Sequence, residues 1–583
     1  MCAPSQNRFS NFLFALLLLS PACAWTAPPP PGFTAPDRAV CRINPVAAAQ
    51  RTSALKAAPF FQVPLSPTTA YVLVIRVDFS DKIMTKTKTE TESFMESLKQ
   101  YYSENSYSLF TVSATVTQST TSAGNTGAQG AYRLPQTLAS YAQGLCTNYD
   151  QIAKDALSAA NTDYNMAPFN HVMIYHAGIG AETANDSSCQ TDNIWSVFAP
   201  TIPPTGLQTD GIRSPMTYNG RTFNGATFVP ESEAQNISPL GVICHEYGHQ
   251  LGLPDLYKTP SNSVVGKWSL MDAGIYIGSP LGSNPAHLDA WSKQFLGFFS
   301  SPQTVTASDS AQTLSLGYAA GTANAYVRIP ISGVGGVNPN TEYFLIERRG
   351  RSSLTGKIYD DALPYGTLQD GYLIWHVDDS ILSSEERLAA NSVNSGSPNL
   401  GLDLVEAGGT GQAALTSGVE SDSFPGSTGR NIFAAPFSNA FGGQQTGIAV
   451  TGFYGAALTV KKAFAGESQE ITRVINFPNP GGPAYAQKQG APAGTLTTIV
   501  LHASKPAQNI LLTLHDMSGA LVRDVPEFLI RANGSASGTQ KFVYEFDWDG
   551  TTDDGGRAAA GVYLYRFRID DNKSETGKLI LIR

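Results

Sequence analysis

A chain of 583 residues is too long for a single hydrophobic core, so about three to four domains are expected. Charged residues are only 15%, beside 54 Gly and 36 Pro, a mix that suits β-rich, loop-rich globular modules. The net charge of −9, with no Lys/Arg run, excludes the basic footprint that nucleic-acid binding needs.

At the N-terminus Arg8 precedes an apolar stretch from Phe9 to Leu19, and Ala22-Cys23-Ala24 has the form of an export-signal cleavage site. The apolar run is too short to span a bilayer comfortably, and no later stretch is long enough. Residues 1–24 therefore read as a signal peptide. The mature chain is expected to be secreted or held at the cell surface, without a transmembrane segment. Residues 25–68, with their Pro-rich tract Pro28 to Pro31, read as a prosegment or linker. Four cysteines remain after cleavage: Cys41, Cys146, Cys189 and Cys244. An exported chain can form disulfides, and Cys146–Cys189 is the expected pair. Cys41 could ligate a metal and hold a precursor latent; an ordinary cysteine is the default.

Residues 69–300 form the next unit. Tyr71 to Phe79 is a short β-branched run and reads as a central strand. A helix is expected over Glu92 to Asn105, a strand over Phe110 to Thr117, and a helix over Tyr149 to Ala160. His171 to His176 reads as a third strand, followed by a glycine loop from Gly178 to Gly180. This alternation predicts a mixed α/β layer.

The chemistry lies in Cys244-His245-Glu246-Tyr247-Gly248-His249-Gln250-Leu251-Gly252-Leu253-Pro254-Asp255. Residues four apart on a helix are separated by about 400° and about 6 Å of rise, so His245 and His249 share a face and can share a zinc ion. Glu246 suits a carboxylate that serves metal-activated water as a base rather than ligating. Gly252 can end the helix with positive φ, and Pro254 cannot continue it. The chain must then turn back, which could bring Asp255 to the metal as third ligand and leave a fourth position open. A downstream glutamate in that role is the alternative. Cys244 reads as a buried small hydrophobe.

Beyond the motif come Trp268-Ser-Leu-Met271 and then Asn284 to Gly297, which reads as an amphipathic helix closed by glycine. From 301 to 470 the runs Ala325 to Ile331, Tyr343 to Arg348, Gly371 to Val377 and Leu402 to Glu406 are short and alternating, a β-rich module. Residues 471–583 add Thr498 to Leu501, Ile510 to Leu514 and Val562 to Ile569, the spacing of a small sandwich. Asn185-Asp186, Asp378-Asp379 and Asp553-Asp554 could bind Ca2+, but none has the spacing of a known loop, so solvated turns are the plainer reading. His287 and His376 read as satisfied surface or core groups, and Trp195 and Trp268 as core.

The pattern His245-Glu246-x-x-His249-x-x-Gly252-x-x-Asp255 with Met271 downstream resembles the metzincin-type metallopeptidases, in which a methionine turn lies under the zinc site. The wording is most similar to the immune inhibitor A family of secreted metallopeptidases. Leu251 to Tyr257, Trp268 to Met271, Tyr101 to Tyr107, His176 to Gly178, Ile194 to Ser196 and Pro230-Glu231 carry that resemblance. Many metzincins have histidine where this chain has Asp255, and some place a tyrosine where it has Ala273. Residues from Val474 onward resemble the immunoglobulin-like domain related to flagellar hook-capping and secretion-sorting domains, on Phe477 to Pro480, His515 to Gly519, Trp548-Asp-Gly550 and Ala560 to Tyr565.

The resemblance implies a multidomain fold: an α/β (α+β) metzincin-like protease domain, an all-β module and an immunoglobulin-like β-sandwich. It implies a zymogen that hydrolyses peptide bonds of protein or peptide substrates. One Zn2+ would sit on His245, His249 and Asp255, with Glu246 catalytic, Met271 structural, and export-machinery contact through the last domain. The alternative is an exported adhesion protein with an inactive protease domain, whose β modules bind a partner or glycan.

Overall fold

The computed structural model describes Trp25–Thr26 and, between residues 68 and 582, all but a set of loops, of which 121–126, 185–191, 202–210, 410–417, 463–470, 484–493 and 534–541 are the longest. The expected signal peptide, Cys41, the Cys146–Cys189 pair and Asn185-Asp186 lie outside the described residues. Among the described residues no helix is long and apolar enough to cross a membrane.

The first sheet has seven strands: β1 (Trp25–Thr26), β2 (Thr68–Asp78), β3 (Phe110–Val116), β4 (Tyr132–Arg133), β5 (His171–Ile179), β6 (Val197–Pro200) and β7 (Gly225–Ser232). Their order is β1-β6-β7-β5-β2-β3, with β4 beside β2. The inner strands are parallel, while β6 runs antiparallel to β7 and β1 antiparallel to β6. Val72 to Asp78 are all buried, as befits a parallel strand covered on both faces. The helices of this unit include α1 (Lys88–Asn105), α2 (Tyr149–Ala160), α3 (Leu240–Gln250) and α4 (Ala290–Phe295). Helix α1 starts at a capping box between Thr87 and Glu90.

A five-stranded sheet follows: Gln303–Thr304, Tyr326–Pro330, Glu342–Gly350, Asp370–Asp378 and Leu402–Leu404. Strand alternation divides its residues between two cores. Phe344, Ile346, Tyr372 and Ile374 pack against a four-stranded sheet that includes Ile448–Thr451 and Ala457–Lys462. Tyr343, Leu345, Leu373 and Trp375 join the core that holds β2, β5 and α3. This sheet is therefore a wall shared with the first unit. The C-terminal residues form two four-stranded antiparallel sheets around one core that includes Leu501, Leu512, Trp548 and Phe567.

Two expectations are corrected. The helix expected from Asn284 to Gly297 occupies only Ala290–Phe295. Tertiary partners take the upstream N–H groups: His287 N donates to Asp360 Oδ1 at 2.6 Å and Leu288 N to Asn105 Oδ1 at 2.9 Å. Asp289 then caps the helix through Ser292 N at 2.8 Å. Gly178 is not in a loop but lies inside β5, one residue before its end, at φ +94, its N–H given to Glu231 Oε1 at 3.0 Å where the register with β7 shifts.

Candidate metal centre

Helix α3 is buried along nearly its whole length, and two of its glycines explain how neighbours close on it. A Cβ on Gly241 would stand 2.0 Å from Ile275 O. One on Gly248 would stand 3.0 Å from Met271 Sδ, which places the methionine sulfur directly against the turn between the two histidines. The helix ends in a Schellman motif: Leu253 N bonds Gly248 O at 3.1 Å, Gly252 N bonds His249 O at 2.9 Å, and Gly252 has φ +103. Pro254 follows, and Leu256 N bonds Met271 O at 2.8 Å, which ties the returning chain to the methionine turn.

That turn delivers Asp255 to the histidines. The Nε2 atoms of His245 and His249 are 3.0 Å apart, and Asp255 Oδ1 lies 3.1 and 3.2 Å from them. A tetrahedral ion with bonds of about 2.0–2.1 Å separates its ligand atoms by about 3.3 Å, so these three donors fit zinc. The other ring nitrogens face backbone: His245 Nδ1 lies 2.9 Å from Leu270 O, and His249 Nδ1 lies 2.8 Å from Leu253 O. A proton on each Nδ1 would be donated to that carbonyl, which leaves both Nε2 lone pairs for a ligand. The Glu246 carboxylate is fully buried and within 4.8 Å of a ligand atom of each histidine. Burial and the neighbouring His249 push the His245 imidazole below its usual range. Burial opposes the charge of Asp255, yet the two imidazoles outweigh it and hold its carboxyl well below the usual carboxylate range.

The other singled-out residues are occupied elsewhere. His287 Nε2 meets Glu104 Oε1 at 2.8 Å, and His376 Nε2 meets Glu342 Oε1 at 3.1 Å while its ring stacks on Phe441. Cys244 is a buried free thiol. Trp195 and Trp268 are buried. Asp378 caps a short helix through Ser380 N, Asp379 accepts from Trp291 Nε1, Asp553 from Asp524 N and Asp554 from Gly556 N, so backbone and indole donors use those carboxylates.

Sequence spacing gave no signal for a second carboxyl group of residues. Glu182 and Glu233 are buried, and burial raises both, with the Glu182 charge adding to the rise of Glu233. Glu182 accepts from Ser196 N at 3.1 Å, and Glu233 from Thr183 Oγ1 at 2.6 Å. Tyr276, in the turn after Met271, is pushed well up by burial, then by Glu182, Glu233 and Glu246, so it stays a neutral phenol near the motif. The Tyr101-Tyr102 pair also proves local to this centre: Tyr102 Oη donates to Cys244 O at 2.8 Å and Tyr101 Oη to Ala286 O at 2.6 Å.

Residues 67–299 match the family model described as the immune inhibitor A peptidase M6 catalytic domain. The chain is 30% identical over 239 residues to immune inhibitor A of Bacillus thuringiensis subsp. alesti, covering 35% of this chain and 32% of that protein. It is 37% identical over 131 residues to the pre-pro-metalloprotease PrtV of Vibrio cholerae, covering 22% of this chain and 14% of that protein. The chain thus spans a third or less of the length of these relatives. Among solved structures, dimeric latent PorU of Porphyromonas gingivalis aligns at 18% identity over 23% of this chain and 12% of that one, with a TM-score of 0.14, too low to inform the fold. Residues 67–299 thus carry the sequence pattern of an immune inhibitor A peptidase M6 catalytic domain.

Proposed function

We propose that the protein is an exported zinc-dependent endopeptidase, made as a precursor, that hydrolyses peptide bonds in protein substrates. The observation that carries this is the convergence of His245 Nε2, His249 Nε2 and Asp255 Oδ1 within 3.2 Å of one another. His245, His249 and Asp255 would hold the zinc ion, which when bound supplies a water acidified toward pKa about 7 and polarises a peptide carbonyl. Glu246 takes the proton of the attacking water on a carboxylate oxygen and delivers it to the departing amine. Leu270 O and Leu253 O keep the two imidazoles oriented, and Met271 supports the helix beneath them. The middle and last modules extend a metzincin-like catalytic domain, the last as an immunoglobulin-like domain that could contact export machinery.

Residues 25–68 act as the prosegment in this reading. Support comes from Trp25–Thr26, which pairs antiparallel with β6 at the end of the sheet and runs near the backbone of helix α3. An extended substrate would need the same hydrogen-bonding edge. The signal peptide of residues 1–24 carries the chain out of the cell.

The test is casein hydrolysis by the processed chain. Glu246→Gln should lower turnover by about 10²–10⁴-fold while zinc stays bound. Retained hydrolysis in that variant would exclude Glu246 as the base. A wild-type protein that is zinc-free and insensitive to chelators would instead favour an exported adhesion protein.

A further inference from the structure

The stretch that carries Asp255 and Met271, from Leu251 to Leu288, holds only two single-turn helices among its described residues, Gly266–Trp268 and Ala273–Tyr276. Such backbone has no ladder of its own, so its polar groups must be satisfied from outside. Three side chains of the middle module supply partners. Arg349 donates from Nη1 to Trp268 O at 2.9 Å and from Nη2 to Leu288 O at 2.8 Å. Asp422 Oδ2 accepts from Trp268 Nε1 at 2.9 Å. Asn394, 1% exposed, donates from Nδ2 to Leu256 O at 2.7 Å and to Leu402 O at 2.9 Å. Its Oδ1 accepts from the N–H groups of Gly401 and Leu402, each at 3.0 Å, so the amide is saturated and locked in one orientation.

The Asn394 bond matters most because of where it lands. Leu256 directly follows Asp255. Its N–H is fixed to Met271 O at 2.8 Å, and its carbonyl is fixed to Asn394. The peptide after the aspartate is thus held at one side by the methionine turn and at the other by a residue beyond the 67–299 match. A carboxylate is a short arm, so its oxygen can meet two imidazoles only if its backbone is held in place.

Resting on the zinc-site reading above, we propose that Asn394 is a positioning residue for Asp255, and that the middle module thereby completes the metal centre. Removing the amide donors should loosen the third ligand and weaken the metal, as loss of a group that orients a ligand does.

The experiment uses the full chain. Asn394→Asp has the same shape but lacks the two N–H donors. Val450→Ala, in the core on the far side of the five-stranded sheet, controls for general loss of stability. Zinc affinity is read by competition with a chromophoric chelator, and ligand geometry by the visible absorption of the cobalt(II)-substituted protein. Asn394→Asp is expected to weaken zinc by about 10–100-fold and to alter the cobalt spectrum, lowering kcat more than it raises KM. Val450→Ala should keep zinc affinity within about twofold, because it touches no ligand segment. A loss in Asn394→Asp of less than about tenfold, or no greater than in Val450→Ala, overturns the proposal. If Asn394→Asp does not fold, Asn394→Ser is judged by the same thresholds. Wild-type protein that takes up no zinc would refute the zinc-site reading itself, a result separate from any difference between variants.

Discussion

At the residue scale, the centre depends on a few backbone conformations that the side chains alone do not reveal. Gly252 has φ +103, and the chain reaches Asp255 only three residues later. Any L side chain in that conformation is strained by about 1–2 kcal/mol. Gly252→Ala is therefore expected to cost about that much stability in urea unfolding and to weaken metal binding, since relaxation at the turn displaces the aspartate. A variant with wild-type unfolding midpoint and wild-type zinc affinity would show that the turn is not what places Asp255. The motif itself was legible: two histidines at i and i+4, the intervening glutamate, and a Gly-x-Pro turn predict the triangle that His245, His249 and Asp255 form. The groups that hold the imidazoles were not legible. Leu270 O and Leu253 O are backbone atoms, and nothing in a residue's identity announces that its carbonyl faces a ring nitrogen.

At the element scale, local pattern identified the long elements and misjudged the short one beside the site. The strands at Tyr71 and His171 were readable because short apolar runs match their continuous burial, and the helix ending at Asn105 because its apolar spacing matches its buried face. Strand β7 was missed, since Gly225–Ser232 contains Gly and Pro and carries polar residues at buried positions, where Glu231 is satisfied by Thr85 and Lys86. Helix α4 was drawn too long because amphipathic spacing is blind to tertiary partners that claim the first N–H groups. Its cap does a second task. Asp289 accepts from Ser292 N through Oδ1 at 2.8 Å and from Ser269 Oγ through Oδ2 at 2.8 Å, so it joins α4 to the residue just before Leu270 and Met271. Asp289→Ala should therefore cost about 1–2 kcal/mol, the high end for a cap, measured by chemical denaturation. Ser292→Ala keeps the N–H that the cap receives and should cost less. Equal losses in the two variants would mean that the link to Ser269 contributes nothing.

At the scale of the whole molecule, the shared core binds stability to protonation. The sequence suggested separate modules, but alternation in the five-stranded sheet sends Tyr343 and Leu345 into the catalytic core and Phe344 and Ile346 away from it. Alternating strands are equally consistent with a free-standing sandwich, so the second covered face was not readable. Within that core His171, whose Nδ1 meets Tyr247 Oη at 2.8 Å, and His176, whose Nδ1 meets Ala177 O at 3.0 Å, are buried on β5. Burial lowers both to about 4. Unfolded histidines take up protons below about pH 6.5, whereas these two resist until about pH 4. Between those values the unfolded state binds more protons, so stability falls as the pH drops through that window. The slope approaches about 1.4 kcal/mol per pH unit for each histidine and vanishes above pH about 7, where both states hold neutral rings. Urea midpoints measured from pH 7 to pH 4 should decline accordingly. His287, His245 and His376 are also buried and lowered by that burial, so they add to the decline. His176→Gln should decline less steeply than wild type, because one of these buried histidines is gone. Parallel pH profiles for the variant and the wild type would show that His176 takes no part in acid unfolding.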